Sequence, residues 1–494
     1  MQAPAALGLG QGDAESMYQA FNNVFLVRSG NAVYYKSAIN NAARDGTWSA
    51  SLDILGAQDA YERTGDPEKK TLINELLTTW LDYTPTPWSW DGWNDDIGWF
   101  SLALIRGYQI TSNPRFLDAA KYGFDYAFGR GWDTQHNGGG IWEENPEYAA
   151  RENPPKTSTK EALANDSLGK VACMIYQSTH DTNYLQKAQQ IYAWVSANLF
   201  NHTTGQINTG IAPDGHVDTG SAAYNQGTFL DYAHLLYLTT GNPIYRTDAH
   251  LALDYGLRNL TNANGIFNNT QNYLNTWADE FARGAGHFIR DNGLWATYHT
   301  AMKANADAIL RNRRSDLGIT WNGWDEPTPQ HDDTLSTNKF VSSVAWLQFT
   351  PIDLPNEVGG IHTIVNQATN ISLDSGGKTE NGSPLIQWGK TASLNQRWLL
   401  TSNADESWNI VNLASWKALD CPGGRDEEGM TMVQWTGSRD GNQRWGVERL
   451  EDGGYKVWNR ASGKVLDGGA GGENGAVVVQ REWNGSAQQR WMLE

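Results

Sequence analysis

Apolar residues recur at helical spacing through about the first 350 residues, in segments separated by short polar turns. Four turns share one pattern, in which an apolar segment ends and the next opens with Asp or Asn as helix N-cap. They lie at 64–67, 111–114, 179–182 and 240–243, and three of them place Pro at the first helical position. The spacing leaves room for two helices per repeat, and therefore predicts helical hairpins arranged as a solenoid or a closed toroid.

Twelve helices follow from this periodicity. They are predicted over 12–27, 47–64, 67–83, 95–111, 114–128, 159–178, 182–200, 222–239, 242–259, 272–289, 293–313 and 337–348. Six hairpins predict a closed (α/α)6 barrel. Two long Gly- and Trp-rich loops, 129–156 and 203–221, are then expected at one end, and loops of this length are usually functional.

The pattern changes at two prolines, Pro351 and Pro355, which mark a linker. Beyond them Gln-Arg-Trp occurs three times, at 396–398, 443–445 and 489–491, each time preceded by a Leu-Asp and by strand-like alternation. Three copies of about 46 residues predict a threefold all-β unit. The chain is therefore predicted to be multi-domain, with an all-α (α/α)6 barrel over 1–352, a linker over 353–358 and an all-β domain over 359–494.

Composition narrows the choice of partner. The formal charge of −18 and the pI near 5.0 disfavour nucleic acid and anionic membranes, and no apolar stretch of about 18 residues exists to span a bilayer. The 23 Trp residues supply flat apolar faces that suit sugar rings. We expect a secreted monomer whose signal peptide has been removed. Cys173 and Cys421 fall in different predicted domains, so no disulfide is expected between them.

Two adjacent carboxylates, Asp95 and Asp96, stand between aromatic residues at the start of a predicted helix, with Asn94 as the expected N-cap. If that helix end faces a cleft, both side chains reach one cavity. A separation on the order of 5 Å is that of the nucleophile and acid/base in a retaining glycosidase. The alternative is that both acids complement the helix dipole.

Four motifs carry a family resemblance: Trp-Asn-Asp-Asp-Ile-Gly-Trp at 93–99, Gly-Gly-Gly-Ile-Trp at 138–142, Lys-Glu-Ala-Leu-Ala-Asn at 160–165 and Tyr-Asn-Gln-Gly at 224–227. They resemble bacterial glycoside hydrolase family 76, whose members are α-1,6-mannanases with an (α/α)6 fold. The resemblance implies Asp95 as nucleophile and Asp96 as acid/base, with α-mannan as partner and no cofactor or metal.

The chain departs from that family's pattern at Glu143-Glu144, where a second Trp is frequent, and at Gly286-His287, where Lys-Gly is common. We expect both departures in the cleft. The His331-Asp332-Asp333 run resembles a metal-ligand cluster, but its polar, Pro-rich surroundings favour a solvated turn.

Further substrate-binding residues are expected around the carboxylates. Trp142 is expected as a stacking platform because its neighbouring glycines would expose the ring, whereas Trp99 is either platform or core. The other candidates carry hydroxyl, amide or carboxylate groups suited to sugar hydroxyls, with a structural role as the alternative. They are Asn165, Asp218, Tyr224, Asn225 and Gln226.

The threefold unit resembles the ricin-B-type lectin domain, a β-trefoil whose repeats end in Gln-x-Trp. The tryptophans of the closing motifs, Trp398, Trp445 and Trp491, are expected in the core. The resemblance implies three sugar pockets, which pair Asp374 with Trp388, Asp420 with Trp435, and Asp467 with Trp483. In the third copy two extra residues precede Trp483, and the asparagine that often completes such a pocket has no clear counterpart in any copy.

The sequence therefore predicts a secreted retaining glycosidase that cleaves α-1,6-linked mannan and holds the polymer through a lectin domain. A cell-wall transglycosidase on the same fold remains an alternative. A carbohydrate-binding protein without activity and an inverting (α/α)6 glucanase or glycuronidase are two others.

Overall fold

The computed structural model describes residues 8–267, 277–355, 357–469 and 471–494. Within them the first part of the chain is helical. Its helices are α1 (Asp13–Phe25), α2 (Thr47–Thr64), α3 (Pro67–Tyr83), α4 (Asn94–Thr111), α5 (Pro114–Gly131), the one-turn α6 (Pro146–Ala149), α7 (Ala162–Thr179), α8 (Thr182–Asn198), α9 (Ala223–Thr240), α10 (Pro243–Asn259), α11 (Asp279–Asp291), α12 (Trp295–Arg311) and α13 (Asn338–Phe349).

The helices form two concentric rings. Six inner helices pack side by side in the order α2, α4, α7, α9, α11 and α13, and α13 closes the ring against α2. The long helices between them in sequence (α1, α3, α5, α8, α10 and α12) lie outside. This confirms the predicted (α/α)6 barrel.

The recurring turns behave as predicted. The side chains of Asp66, Asn113, Asp181 and Asn242 each accept a hydrogen bond from a backbone N–H in the first turn of the next helix. The residue before each cap has left-handed backbone, so the preceding helix ends there. These caps fix where α3, α5, α8 and α10 begin.

Two small sheets were not predicted. Strands β1 (Leu26–Ser29), β2 (Ala32–Ala38) and β3 (Asn41–Arg44) form an antiparallel sheet between α1 and α2, and β4 (Lys160–Glu161), β5 (Gly210–Ile211) and β6 (Val217–Asp218) form another. Because 160–161 pair with β5, α7 begins later than predicted. Of the helix predicted over 272–289, residues 272–276 lie outside the described residues.

The second domain is all-β. Its strands are β7 (Gly360–His362), β8 (Ile364–Asn366), β9 (Ser372–Asp374), β10 (Ser383–Pro384), β11 (Ile386–Trp388), β12 (Trp398–Ser402), β13 (Trp408–Asn412), β14 (Ala418–Asp420), β15 (Val433–Trp435), β16 (Trp445–Arg449), β17 (Tyr455–Asn459), β18 (Val465–Asp467), β19 (Val479–Arg481) and β20 (Trp491–Leu493).

Three tryptophans fill the centre of this β-trefoil, as predicted. Trp398, Trp445 and Trp491 are fully buried. Each indole N–H donates to the backbone carbonyl of the leucine in its own copy's Leu-Asp pair, at 2.9–3.0 Å. The indole N–H groups are therefore satisfied while the rings supply the core.

The trefoil packs against the C-terminal ends of the inner helices. Arg439 donates from Nη1 to the backbone carbonyl of Glu62 at 2.7 Å, near the end of α2. An apolar cluster spans the two domains, formed by Leu238 of α9 with Leu399 and Leu413 of the trefoil. The two domains therefore share a core contact as well as a linker.

Among the described residues no helix is both long and apolar enough to cross a bilayer. Cys173 and Cys421 are both buried free thiols, one in each domain.

Candidate active site

The N-terminal ends of five inner helices (α2, α4, α7, α9 and α11) meet at a cavity of about 320 Å³. Among the described residues its lining is mainly aromatic and acidic and holds no lysine or arginine: Trp48, Leu52, Trp93, Asp95, Asp96, Trp99, Leu163, Tyr224, Trp277, Asp279 and Glu280. A larger space of about 820 Å³ lies between the two domains, but neither Asp95 nor Asp96 lines it. The smaller cavity is therefore the candidate active site.

The first turn of α4 carries the carboxyl pair, and its anchoring differs from the prediction. Trp93 occupies the N-cap position, and Asn94 is the first helical residue. The Asn94 amide donates to the Trp142 carbonyl at 2.7 Å, and its oxygen accepts from Arg130 Nε at 2.6 Å. Asn94 thus ties the Gly-rich loop to the helix end that holds Asp95 and Asp96.

Burial raises the pKa of both Asp95 and Asp96. A backbone N–H at the start of α4 stabilises ionised Asp95 and opposes that rise. The pKa of Asp96 is raised further by the charge of Asp95 and of Asp91 on the preceding loop. Asp96 is therefore the carboxyl that keeps its proton longer as pH rises.

Two more acids extend this cluster. Burial raises the pKa of Glu143 and of Glu161, and the two carboxyls share a hydrogen bond. The charge of Asp95 also raises the pKa of Glu143. We refer to Asp91, Asp95, Asp96, Glu143 and Glu161 as the cavity acids. Of these five only Asp95 and Asp96 line the cavity itself, so the Glu143 departure from the family pattern lies beside the cleft and not in it.

Two of the predicted substrate-binding residues line the cavity, namely Trp99 and Tyr224. Asn225 follows Tyr224 but is fully buried, and its amide has no hydrogen-bond partner among the described residues.

Besides Asn225, four of the predicted substrate-binding residues do not line the cavity. Trp142 is only 6 % exposed, and the Lys160 ammonium lies 4.7 Å from its ring centre. A Cβ on Gly140 would clash with Trp194, so the glycines allow close packing rather than exposing Trp142. The expectation of a platform there is wrong.

The amides of Asn165 and Gln226 are buried and bond backbone groups. Asn165 accepts from the Ile141 N–H at 2.8 Å, and Gln226 accepts from the Ile207 N–H at 3.1 Å. Both therefore hold loops in place instead of facing a ligand. Asp218 lies on exposed β6 and accepts from the Gly220 N–H at 2.9 Å.

Sequence reasoning missed Trp48, Trp277, Asp279 and Glu280. The signal for three of them is a second Trp-x-Asp-acid run at 277–280, which matches 93–96 and likewise opens an inner helix. Trp277 has a φ of 58°, and its buried indole N–H has no hydrogen-bond partner in the part of the chain that the structure describes. Strain of this kind concentrates at functional sites.

Beneath the cavity eight charged side chains form a closed circuit of alternating sign, which we call the charge ring. The ring includes Glu280, which also lines the cavity. Every cation in it bridges two acids, and one of these contacts joins Arg283 to Glu280. The other distances are 2.7 Å (Arg283–Asp59), 2.5 Å (Arg106–Asp59), 2.7 Å (Arg106–Glu62), 2.9 Å (His287–Glu62), 2.9 Å (His287–Asp231), 2.9 Å (Lys170–Asp231) and 2.7 Å (Lys170–Glu280).

The Gly286-His287 departure therefore does not lie in the cleft. Gly286 packs on Phe349 and borders the space between the domains. His287 belongs to the charge ring, and its two acidic partners raise its pKa to about 9 although burial opposes this. In the 331–333 run, Asp333 pairs with Arg314 at 2.8 Å, and Asp332 accepts a hydrogen bond from the backbone N–H of Thr334.

In the trefoil the three predicted carboxylates occupy equivalent places. Asp374, Asp420 and Asp467 each accept from the glutamine amide of the closing motif, at 2.9, 2.7 and 3.0 Å. Asn442 also donates to Asp420, at 2.9 Å, so the second copy does have an asparagine beside its carboxylate.

The platform tryptophans differ between the copies. Trp388 and Trp435 are 42 % and 45 % exposed at the ends of β11 and β15. In the third copy the corresponding strand end carries Arg481. Trp483 lies two residues beyond this strand end, in keeping with the two extra residues that precede it in the sequence, so it does not occupy the ladder position of Trp388 and Trp435.

The described geometry agrees with known proteins. A sequence model of glycosyl hydrolase family 76 matches residues 20–337, and one of the ricin-type β-trefoil lectin domain matches 361–491. A putative mannan endo-1,6-α-mannosidase of Schizosaccharomyces pombe is 24 % identical over 230 residues, which cover 42 % of this chain and 50 % of that protein. The chain thus spans about half the length of this relative.

Solved structures share the helical fold. An inactive variant of an α-1,6-mannanase from a Salegentibacter species, in complex with α-1,6-mannotetrose, is 20 % identical with a TM-score of 0.60. It covers 68 % of this chain and 97 % of its own. A family 76 mannosidase from Bacteroides thetaiotaomicron is 16 % identical with a TM-score of 0.58, over 68 % and 96 % of the two chains. The family match over most of the helical domain, on a barrel with paired acids at its cavity, shows that this chain belongs to glycosyl hydrolase family 76.

Proposed function

We propose that the protein is a secreted retaining glycosidase that cleaves α-1,6-mannosidic linkages within mannan and holds the polymer through its trefoil. The observation that carries this proposal is the Asp95–Asp96 pair at the N-terminal end of α4, in an aromatic cavity whose described lining holds no basic residue. Export is part of the proposal because mannan is an extracellular polymer. Detection of the protein in culture medium rather than cell lysate tests it.

The different surroundings of Asp95 and Asp96 give the two carboxyls different roles. Asp95 is the more readily ionised acid and attacks the anomeric carbon, while protonated Asp96 donates its proton to the leaving glycosidic oxygen. Asp96, now ionised, then takes a proton from water as that water breaks the Asp95 ester. The proton returns to Asp96, so the enzyme regains its starting state with retained configuration.

The aromatic walls supply sugar binding. Trp93 and Trp99 flank the carboxyl pair along α4. Tyr224 and Trp277 contact each other, with ring centres 5.6 Å apart and ring planes inclined at 59°. Such faces contact the apolar side of a pyranose, and their polar edges reach its hydroxyls.

The relatives support the choice of linkage. The S. pombe relative is named for mannan endo-1,6-α-mannosidase activity. Two structures of the Salegentibacter enzyme are inactive variants with adjacent aspartates replaced, one binding α-1,6-mannotetrose and the other α-1,6-mannotriose.

Proton NMR of a fresh digest of linear α-1,6-mannan tests the reaction. The expected first product is an oligosaccharide with an α-configured reducing end. A β-configured first product would show inversion, and no release of reducing ends would support the inactive binding protein. Longer products at high acceptor concentration would support the transglycosidase.

Exogenous azide tests the two roles. Asp96→Ala is expected to cripple mannan cleavage but much less the first step on an aryl mannoside with an acidic phenol, because a good leaving group needs little protonation. Azide is then expected to restore turnover and give a mannosyl azide of retained configuration. An inverted azide from this variant would exchange the roles of Asp95 and Asp96.

A further inference from the structure

In each copy of the trefoil, one strand residue pairs with the residue two places before the Asp of the Leu-Asp pair. We call this the ladder position, and different residues occupy it in the three copies. In the first copy Trp388 pairs with Ser372, two residues before Asp374. In the second copy Trp435 pairs with Ala418, two residues before Asp420. The same register in the third copy pairs Val465, two residues before Asp467, with Arg481.

The first two copies present a flat apolar face beside a fixed acceptor. Trp388 and Trp435 are among the most exposed large apolar side chains of the described residues. Asp374 and Asp420 are only 5 % and 3 % exposed, and no cation lies within 4 Å of either among the described residues. A sugar ring can stack on the indole and donate a hydroxyl hydrogen to the carboxylate.

The third copy has a charged network in this place. Arg481 Nε lies 4.0 Å from Asp467, and its Nη1 lies 3.8 Å from Glu428. Lys464 contacts Glu428 at 3.3 Å and also bonds Glu482. The acceptor therefore faces a cation, and the position opposite it offers no aromatic face.

Trp483 does not replace the missing platform. It lies two residues past the end of β19, and the Lys456 ammonium lies 5.3 Å from its ring centre. The same ammonium lies 5.2 Å from Trp458. Trp483 thus lies beside Lys456 of β17 and outside the ladder position that Arg481 occupies.

We propose that the trefoil is a two-site lectin, in which the first and second copies bind neutral sugar and the Arg481–Asp467 contact closes the third. This inference rests on the lectin role within the proposed function. Two linked sites on one chain hold a polymer far more tightly than one, since the second contact is intramolecular.

Fluorine NMR on the full chain tests each copy separately. The protein carries Asp95→Asn to prevent hydrolysis and 5-fluorotryptophan in place of tryptophan. Trp388→Phe, Trp435→Phe and Trp483→Phe assign the three signals. On titration with methyl α-mannoside and, separately, methyl β-galactoside, the Trp388 and Trp435 signals are expected to shift to saturation with at least one sugar, and the Trp483 signal to stay.

Arg481→Trp supplies the gain-of-function arm and is expected to add a third shifting signal. Arg449→Trp, on an exposed part of β16, is the matched control and should add none. In gels containing yeast mannan, Trp388→Ala and Trp435→Ala are each expected to weaken retention at least about tenfold through lost avidity. Trp483→Ala is expected to retain like the parent.

The outcomes separate the two levels of inference. A saturable shift of Trp483, or of only one of Trp388 and Trp435, would overturn the two-site assignment and leave the lectin role intact. The absence of any shift with either sugar, together with no retention by mannan, would overturn both.

Discussion

Two groups of buried carboxylates in the helical domain differ in what surrounds them. In the charge ring, Asp59 and Asp231 each contact two cations. Glu62 contacts two cations of the ring and also Arg290. The pKa values of all three acids are lowered despite burial. Among the cavity acids, Asp95 and Asp96 have raised pKa values because burial is reinforced by neighbouring acids. Burial alone therefore does not set the ionisation of these acids, because the charges around each carboxylate decide whether its pKa rises or falls.

The two groups lie on the same helices. The charge ring takes its members from α2, α4, α7, α9 and α11, the five inner helices whose N-terminal ends line the cavity. The ring holds these helices together through compensated charge. Asp95 and Asp96 at the ends of these helices have no cation partner among the described residues, which destabilises the fold but suits acid–base chemistry.

The largest expected effect is on catalysis. Asp95→Asn removes the nucleophile and is expected to lower kcat on mannan on the order of 10³-fold or more, or about 4 kcal/mol of barrier. Because the variant also removes a buried acid with a raised pKa, its unfolding free energy at pH 8 should rise by on the order of 1 kcal/mol.

Kinetics and denaturant unfolding measure the two effects. Asp118→Asn, on the exposed side of α5, is the control and should change neither. Wild-type turnover by the Asp95 variant would remove that residue from the mechanism, and a clear loss of stability would show that the cavity acids are not strained.

Breaking the charge ring should act in the opposite direction. Arg283→Met leaves Asp59 and Glu280 each without one cation in a dry interior, and is expected to lower the unfolding free energy by about 3–5 kcal/mol. Arg258→Met breaks an exposed pair with Asp254 and should cost less than about 1 kcal/mol. Equal melting temperatures for the two variants would contradict the stabilising role of the ring.

The ring also gives stability a pH dependence. The pKa of His287 is raised to about 9 in the fold from about 6.5 in the unfolded chain, so its contribution is complete below about pH 6.5 and is lost as pH rises through 9. The difference in unfolding free energy between wild type and His287→Gln should therefore shrink by about 3 kcal/mol between pH 6 and 10. The cavity acids titrate in both proteins and cancel. A constant difference would show that His287 is neutral in the fold.

Local signals allowed much of the barrel to be predicted from sequence. The caps at Asp66, Asn113, Asp181 and Asn242 depend on neighbouring residues only, and the helices they start were located closely. The trefoil core followed from the spacing of Trp398, Trp445 and Trp491, because a repeat at constant period needs no tertiary information.

The charge ring and the packing of the Gly-rich loop were not predictable in this way. Asp59 and Arg283 meet across 224 residues, and nothing near either one indicates the partner. Trp142 was predicted to be exposed but is buried, because glycine permits both exposure and close packing. The two extra residues of the third copy were visible in the sequence, but only the pairing of β19 with β18 shows that Arg481 takes the ladder position.

The smallest expected effect tests which of two cavity acids, Glu143 or Glu161, carries the proton that they share. Burial and the charges of Glu161 and Asp95 raise the pKa of Glu143, which places a proton on Glu143 and lets it donate to Glu161. Glutamine has nearly the same shape and can donate the same hydrogen bond. Glu143→Gln should therefore move the acidic limb of the kcat/KM–pH profile by no more than about 0.3 units, since little charge changes near Asp95.

Glu161→Gln is the matched control variant. It removes a negative charge that raises the pKa of Asp95, so it should move the acidic limb clearly to lower pH. If Glu143→Gln produces the larger shift, the charge resides on Glu143 and the donor and acceptor of the pair are exchanged.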